Sequence, residues 1–239
     1  MGSSETPLKL PITDYSKQAL TPGSKEWETV RTQVHNAPEE YGCFEALFYK
    51  VPPHNKAPPH IRKSIFQSME EPYNLPLQTK LQNVSMGVDD VNIYEQVQRL
   101  INTLWPQENP SFCKTIQSFS EQVSELDQII RRMILESLGL EKYFEEHLEL
   151  TNYLLRMIKY KGPQTNETKL RLPAHTNKNI VTILYQNQVD GLEVQTKDGK
   201  WIYANPSSDS FITMIDLLYR KFVPDEIHWS RKCLRDEIY

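Results

Sequence analysis

The stretch Leu172–Asn205 reads LPAHTNKNIVTILYQNQVDGLEVQTKDGKWIYAN. Its second half decides the fold class. Asn179–Tyr185 and Leu192–Thr196 are apolar runs bounded by polar turns, which is a strand pattern. Asp198-Gly199 marks a hairpin turn into Trp201-Ile202-Tyr203, because glycine takes the positive φ that such a turn needs. The first half carries His175 and Asn177, a His-x-amide pair placed directly before the β-pattern. Alternate residues of a strand share a face, so two such side chains can serve one cavity.

Working outward, Pro206–Asp209 reads as a turn and Ser210–Leu218 as a last apolar strand. On the other side, Tyr153–Tyr160 (YLLRMIKY) is strand-like and Lys161–Lys169 is a polar loop with Gly162-Pro163. Further upstream the period changes to that of helices. Cys113–Leu138 places Ile116, Phe119, Val123, Leu126, Ile130 and Met133 on one stripe, and Gly139 follows as a stop. Val91–Trp105, Glu141–Leu148 and His60–Glu70 are also helical patterns. Ser24–Asn36 is a helix with Ser24 as N-cap and Trp27, Val30 and Val34 on its apolar face. Tyr41–Phe48 is a buried strand, Asn83–Asp90 a polar connection, and Leu8–Asp14, interrupted by Pro11, an edge or strand start. Helices first and strands afterwards give an α+β class.

Composition narrows the function. A net charge of −4 gives no pull toward nucleic acid or an anionic membrane, and no apolar run reaches spanning length. The N-terminus lacks a signal pattern, and the match of Gly2 and Thr6 to a myristoylation motif is read as chance. Three scattered cysteines (Cys43, Cys113, Cys233) argue against a disulfide framework. A cytoplasmic monomer is the expectation. His54 and His60 lie among prolines without a Cys or carboxylate at ligand spacing and are read as solvated. The same holds for His147 and Glu149, which point in different directions on a helix. For His175 composition alone favours a polar strand-edge histidine, and a metal ligand is the alternative. A His-x-Asp pair plus a distant second His makes the 2-His-1-carboxylate triad of non-haem Fe(II).

Six stretches carry a family resemblance. They are LPITDYS (Leu10–Ser16), YGCFEALF (Tyr41–Phe48), LPLQTKLQNVS (Leu75–Ser85), LLRMIKY (Leu154–Tyr160), HTNKNIVTILYQNQVDGLEVQTKDGKWI (His175–Ile202) and DSFITMI (Asp209–Ile215). Through them the chain resembles the plant 2-oxoglutarate/Fe(II)-dependent dioxygenases, in particular the branch producing alkenyl and hydroxyalkyl glucosinolates. The resemblance implies N-terminal helices over a double-stranded β-helix, or jelly-roll, core. It implies Fe(II) and 2-oxoglutarate as cofactors and a small-molecule substrate. By position, His175 matches the first iron-binding His, Tyr160 a tyrosine that contacts 2-oxoglutarate, and Asn177 the place of the iron-binding Asp.

The departures point the other way. Asn177 removes the anionic ligand. After the Ile215 region the family continues with a Gly-Asp turn, an Asn-Gly turn, a distal His-Arg-Val and an Arg-x-Ser that holds the 2-oxoglutarate carboxylate. Here the residues read MIDLLYRKFVPDEIHWSRKCLRDEIY. His228 is the one candidate for the distal ligand, but Trp229-Ser230 follows it, and it reads as a histidine in a poorly structured tail. Ser85-Met86-Gly87 stands at a junction where the family has a cavity strand, which suggests an internal deletion. The segments expected are 1–150 (helical N-terminal region), 151–215 (partial dioxygenase β-core) and 216–239 (divergent tail). The expected function is that of an inactive dioxygenase with an incomplete jelly-roll. Two alternatives stand beside it: an active enzyme using His175 and His228, and a non-catalytic partner-binding protein. Strands Tyr153–Tyr160 or Asn179–Tyr185 are expected to leave open edges that favour aggregation.

Overall fold

The computed structural model describes residues 8–17, 20–48, 60–74, 85–105, 107–159, 170–175, 179–187, 192–196, 198–207, 209–215 and 232–235. The N-terminal elements are β1 (Ile12–Asp14), α1 (Lys25–Glu40), β2 (Cys43–Leu47), α2 (His60–Asn74), β3 (Ser85–Asp89), α3 (Tyr94–Leu104) and α4 (Pro110–Ser137). A 3-10 turn at Glu141–Tyr143 leads into α5 (Phe144–Glu149). Then come β4 (Leu154–Ile158), β5 (Leu170–His175), β6 (Val181–Leu184), β7 (Leu192–Gln195), β8 (Trp201–Ala204), β9 (Ser210–Ile215) and β10 (Lys232–Arg235). The chain divides into two compact units: residues 1–49, 130–141 and 162–239 in the first, 50–129 and 142–161 in the second. The units interleave along the sequence.

The first unit holds two four-stranded sheets. One has the order β1-β2-β9-β6, the other β5-β10-β7-β8. β1 runs parallel to β2, and every other pairing is antiparallel. One apolar cluster draws on both sheets: Cys43, Ile212 and Met214 from the first, Leu192, Val194, Ile202 and Ala204 from the second. The sheets therefore pack face to face. β8 shows the expected alternation, with Ile202 and Ala204 buried and Trp201 and Tyr203 exposed.

The first sheet has a second covered face. α1 lies against β1 and β2 and buries Trp27, Val30, Val34 and Ala37. Every residue of β9, which pairs with β2 on one edge and β6 on the other, is buried. The burial includes polar groups. Thr13 and Thr213 keep hydroxyls that are buried and have no hydrogen-bond partner among the described residues. Such an orphan costs about 1–3 kcal/mol. Thr213→Val keeps the shape and removes the hydroxyl, so it is expected to raise stability by about 1 kcal/mol in a denaturant titration. A loss of stability would show that the hydroxyl is satisfied.

Local chemistry sets the ends. The Ser24 hydroxyl accepts the Trp27 N–H at 3.0 Å and caps α1. Ser24→Ala should cost about 1 kcal/mol, read as a lower thermal midpoint. α1 runs past the expected end at Asn36 and includes Pro38. The proline removes one donor near the end, while Tyr41 and Gly42 N–H groups close the helix on Ala37 and Pro38 carbonyls at 2.9 and 3.1 Å. α2 likewise runs past Glu70 and contains Pro72. α4 ends as its sequence predicts. Gly139 has φ +68, and the N–H groups of Gly139 and Leu140 bond back to the carbonyls of Glu136 and Leu135. Of its predicted stripe, Ile116, Phe119, Leu126, Ile130 and Met133 are buried and Val123 is half-buried.

In the second unit, the expected polar connection at 83–90 is corrected. Ser85–Asp89 is β3 and pairs antiparallel with β4, Met86 opposite Met157 and Val88 opposite Leu155. Its apolar residues are only two, at alternate positions, so the run reads as polar although one side is buried. The Tyr73 hydroxyl donates to the Met157 carbonyl at 2.9 Å, and burial pushes its pKa up to about 12. The expected open edges at Tyr153–Tyr160 and Asn179–Tyr185 are half filled. β4 has β3 and β6 has β9 as partner, and among the described residues neither has a second.

Candidate functional site

His175 is the last residue of β5. The strand Val181–Leu184 begins after it and belongs to the other sheet, so His175 closes one strand and does not open the next. Of the other predicted site residues, Tyr160, Asn177 and His228 lie outside the described residues. Leu170–His175 sits at the end of its sheet, bonded to β10.

That neighbour is a strand the sequence does not predict. The region around His228 reads as poorly structured, yet Lys232–Arg235 forms β10 between β5 and β7. The correction has a simple cause. Four residues, Lys-Cys-Leu-Arg, are too few to show a period, and β10 forms because two strands offer it their edges. Its register places Lys232 opposite His175 on one side and opposite Val194 on the other.

The chemistry of the donor set is narrow. His175 offers an imidazole and Asn177 a neutral amide, where the Fe(II) triad needs a carboxylate. Among the described residues no group of three or more His, Cys, Asp or Glu side chains could hold a metal ion. A cleft of about 350 Å³ opens between the start of the chain and α1, with Asp14, Lys17, Lys25 and Glu26 on its walls. It includes none of the predicted site residues. Its opposite charges sit on a strand end and a helix start, and they fit a solvated groove better than a substrate pocket. His147 and Glu149 lie on α5; Glu149 is exposed as its solvated reading expects, whereas His147 is half-buried.

The comparisons with known proteins agree with this frame. Residues 146–220 match the 2OG-Fe(II) oxygenase superfamily. The chain is 46% identical, over 87% of its own length and 70% of the relative's, to "Probable 2-oxoglutarate-dependent dioxygenase AOP1.2" of Arabidopsis thaliana. The chain belongs to the 2OG-Fe(II) oxygenase superfamily. It is also 29% identical, over 90% of its length and 77% of the relative's, to "Probable inactive 2-oxoglutarate-dependent dioxygenase AOP2" of the same plant. That alignment runs over 315 positions, more than the 239 residues here, so it includes segments this oxygenase chain lacks. Among solved structures, a full-length Neurospora crassa protein in complex with alpha-KG superposes with a TM-score of 0.75 at 18% identity. The match covers 98% of this chain and 80% of that one. The binary complex of the Arabidopsis thaliana dioxygenase for auxin oxidation with 2-oxoglutarate gives 0.74 at 14% identity, over 95% and 87%. The two face-to-face sheets are thus those of the 2OG oxygenase jelly-roll. Fe(II) and 2-oxoglutarate are the cofactors of this superfamily. Among the described residues no helix is long and apolar enough to cross a membrane.

Proposed function

We propose that this chain is a catalytically inactive member of its superfamily, descended from enzymes that oxidise glucosinolate side chains. The observation that carries the reading is Asn177, two residues after His175. An amide oxygen is neutral, so it neither balances the charge of Fe(II) nor holds it as a carboxylate does. The other departures act in the same direction. His228 is followed by Trp229-Ser230, and the residues after Ile215 do not continue the family pattern. Tyr160, left to contact 2-oxoglutarate, is a neutral hydroxyl and cannot by itself neutralise a dicarboxylate. Without a held metal, the residues that remain can bind or exclude small molecules but cannot activate oxygen.

The test is succinate formation from 2-oxoglutarate with added Fe(II) and ascorbate. The expected result is no release above the rate without protein. Turnover at the rate of an active relative would overturn the reading. The chain is further read as a cytoplasmic monomer, and gel filtration at several concentrations checks the oligomeric state. Species that grow with concentration would instead point to pairing through the edge of β6 that has no partner among the described residues.

A further inference from the structure

Exposed apolar side chains scattered singly are ordinary, whereas several at one place mark a contact surface. In the second unit three converge. The Val91 N–H donates to the Tyr153 carbonyl at 3.2 Å, where the chain leaving β3 for α3 meets the chain leaving α5 for β4. Ile93 follows Val91 by two residues, Leu154 follows Tyr153 directly, and Leu150 caps the end of α5 just before them. Ile93 is 47%, Leu154 54% and Leu150 78% exposed. Other residues supply the core here, since Val88, Val91, Val97 and Met157 are buried. Acidic groups surround the three. Asp89 stands opposite Leu154 in the pairing of β3 with β4. Asp90 and Glu95 flank Ile93, and Glu149 precedes Leu150. Asp89, Glu95 and Glu149 are exposed and Asp90 is half-buried. Among the described residues none of the four is in an ion pair. Arg156, two residues past Leu154 on β4, bounds the patch on its far side.

We propose that this patch docks a basic, amphipathic segment of another protein. The apolar centre takes the partner's leucine-like side chains, as an amphipathic helix lays its apolar face on such a surface. The acidic rim attracts its lysines and arginines and sets its orientation. A second copy of this chain fits poorly, because it would bring two acidic rims together, and like charges across an interface cost several kcal/mol. The proposal goes beyond the inactive reading and does not depend on it. No residue of the patch is among the candidate metal or cofactor ligands, so the surface is present whether or not the chain turns over 2-oxoglutarate.

Fluorescence anisotropy on the full chain tests it, with a labelled helical peptide of about 18 residues as probe, leucines on one face and lysines on the other. The unaltered chain is expected to bind it with a dissociation constant below about 100 μM, and to bind more weakly as salt rises from about 0.05 to about 0.5 M. A peptide with glutamate in place of lysine should not bind. Leu150→Ser with Leu154→Ser, and separately Glu95→Lys with Glu149→Lys, should each weaken binding by about tenfold or more. Leu150→Ser alone replaces the first pair if circular dichroism shows that the pair does not fold. Ile12→Ser and Glu26→Lys make the same chemical changes on the exposed surface of the first unit and should leave binding unchanged. No binding by the unaltered chain, or an equal loss from Glu26→Lys, would overturn the proposal. Self-association of the unaltered chain that Leu150→Ser abolishes would overturn it in favour of a second copy. None of these results bears on succinate release, which tests the inactive reading separately.

Discussion

Phe44→Ala is expected to destabilise the first unit by about 3–5 kcal/mol, the usual cost of removing a fully buried aromatic ring. Phe44 has no exposed surface and sits in β2, the strand between β1 and β9. It stands opposite Thr213, and its ring lies 6.4 Å from that of Tyr15 at an interplanar angle of 28°. Tyr15 is itself buried, and burial raises its pKa well above the ordinary value. The neighbours cannot close the cavity cheaply. β2 is bonded on both edges, and α1 lies across the strand. A domain of this size has about 5–15 kcal/mol in total, so the variant should lose a large fraction of its denaturant midpoint or accumulate as insoluble protein. Phe44→Leu, which keeps most of the volume, should lose about a third as much. Thr29→Ala on the exposed side of α1 should be near neutral. A loss below about 1 kcal/mol for Phe44→Ala would mean that the ring is not part of the core.

That prediction is within reach of the sequence, because Tyr41–Phe48 is apolar at most positions. Such a run implies a strand covered on both faces. What the run cannot say is which strand lies beside it. β2 pairs with β9, Cys43 opposite Met214, across most of the length of the chain. This pairing puts the first fifty residues into the β-core, whereas the order of elements suggests helices at one end and strands at the other. The β7–β8 hairpin is legible for the opposite reason, since its information is local. The Gly199 N–H bonds the Thr196 carbonyl at 3.0 Å with φ +83 at the glycine, as Asp198-Gly199 announces. β3 and β10 escape a reading of the sequence because a short strand with few apolar residues carries almost no period. Their existence depends on the edges of β4, β5 and β7.

The candidate site divides the same way. His175 and the defect at Asn177 are read from neighbouring residues. The resemblance supplies what each would do. The strand beside His175, β10, begins 57 positions further along and is identified only by its pairing with β5 and β7. The missing ligand is thus legible because it is a change of residue, whereas the strand beside His175 is not, because it is a change of neighbour.

The second large effect concerns Glu136. Its carboxylate accepts the indole N–H of Trp27 at 2.6 Å and the Nε–H of Arg132 at 3.1 Å, and Arg31 lies 3.9 Å away. Trp27 is 2% exposed, so its N–H has no alternative in water. Glu136→Ala leaves that donor unsatisfied and is expected to cost about 2–3 kcal/mol. Glu136→Gln keeps an oxygen acceptor and should cost about 1 kcal/mol. The arginines are not expected to account for the difference. Their side chains are 31% and 43% exposed, where pairs contribute at most about 1 kcal/mol and salt screens them. A double-mutant cycle of Trp27→Phe with Glu136→Ala separates the two contributions. The expected coupling is about 1–2 kcal/mol, unchanged by about 0.5 M salt because the indole carries no charge. Coupling that vanishes in salt would assign the effect to Arg31 and Arg132, and Glu136 would then be a surface ion-pair partner instead of the group that fastens α1 to the end of α4.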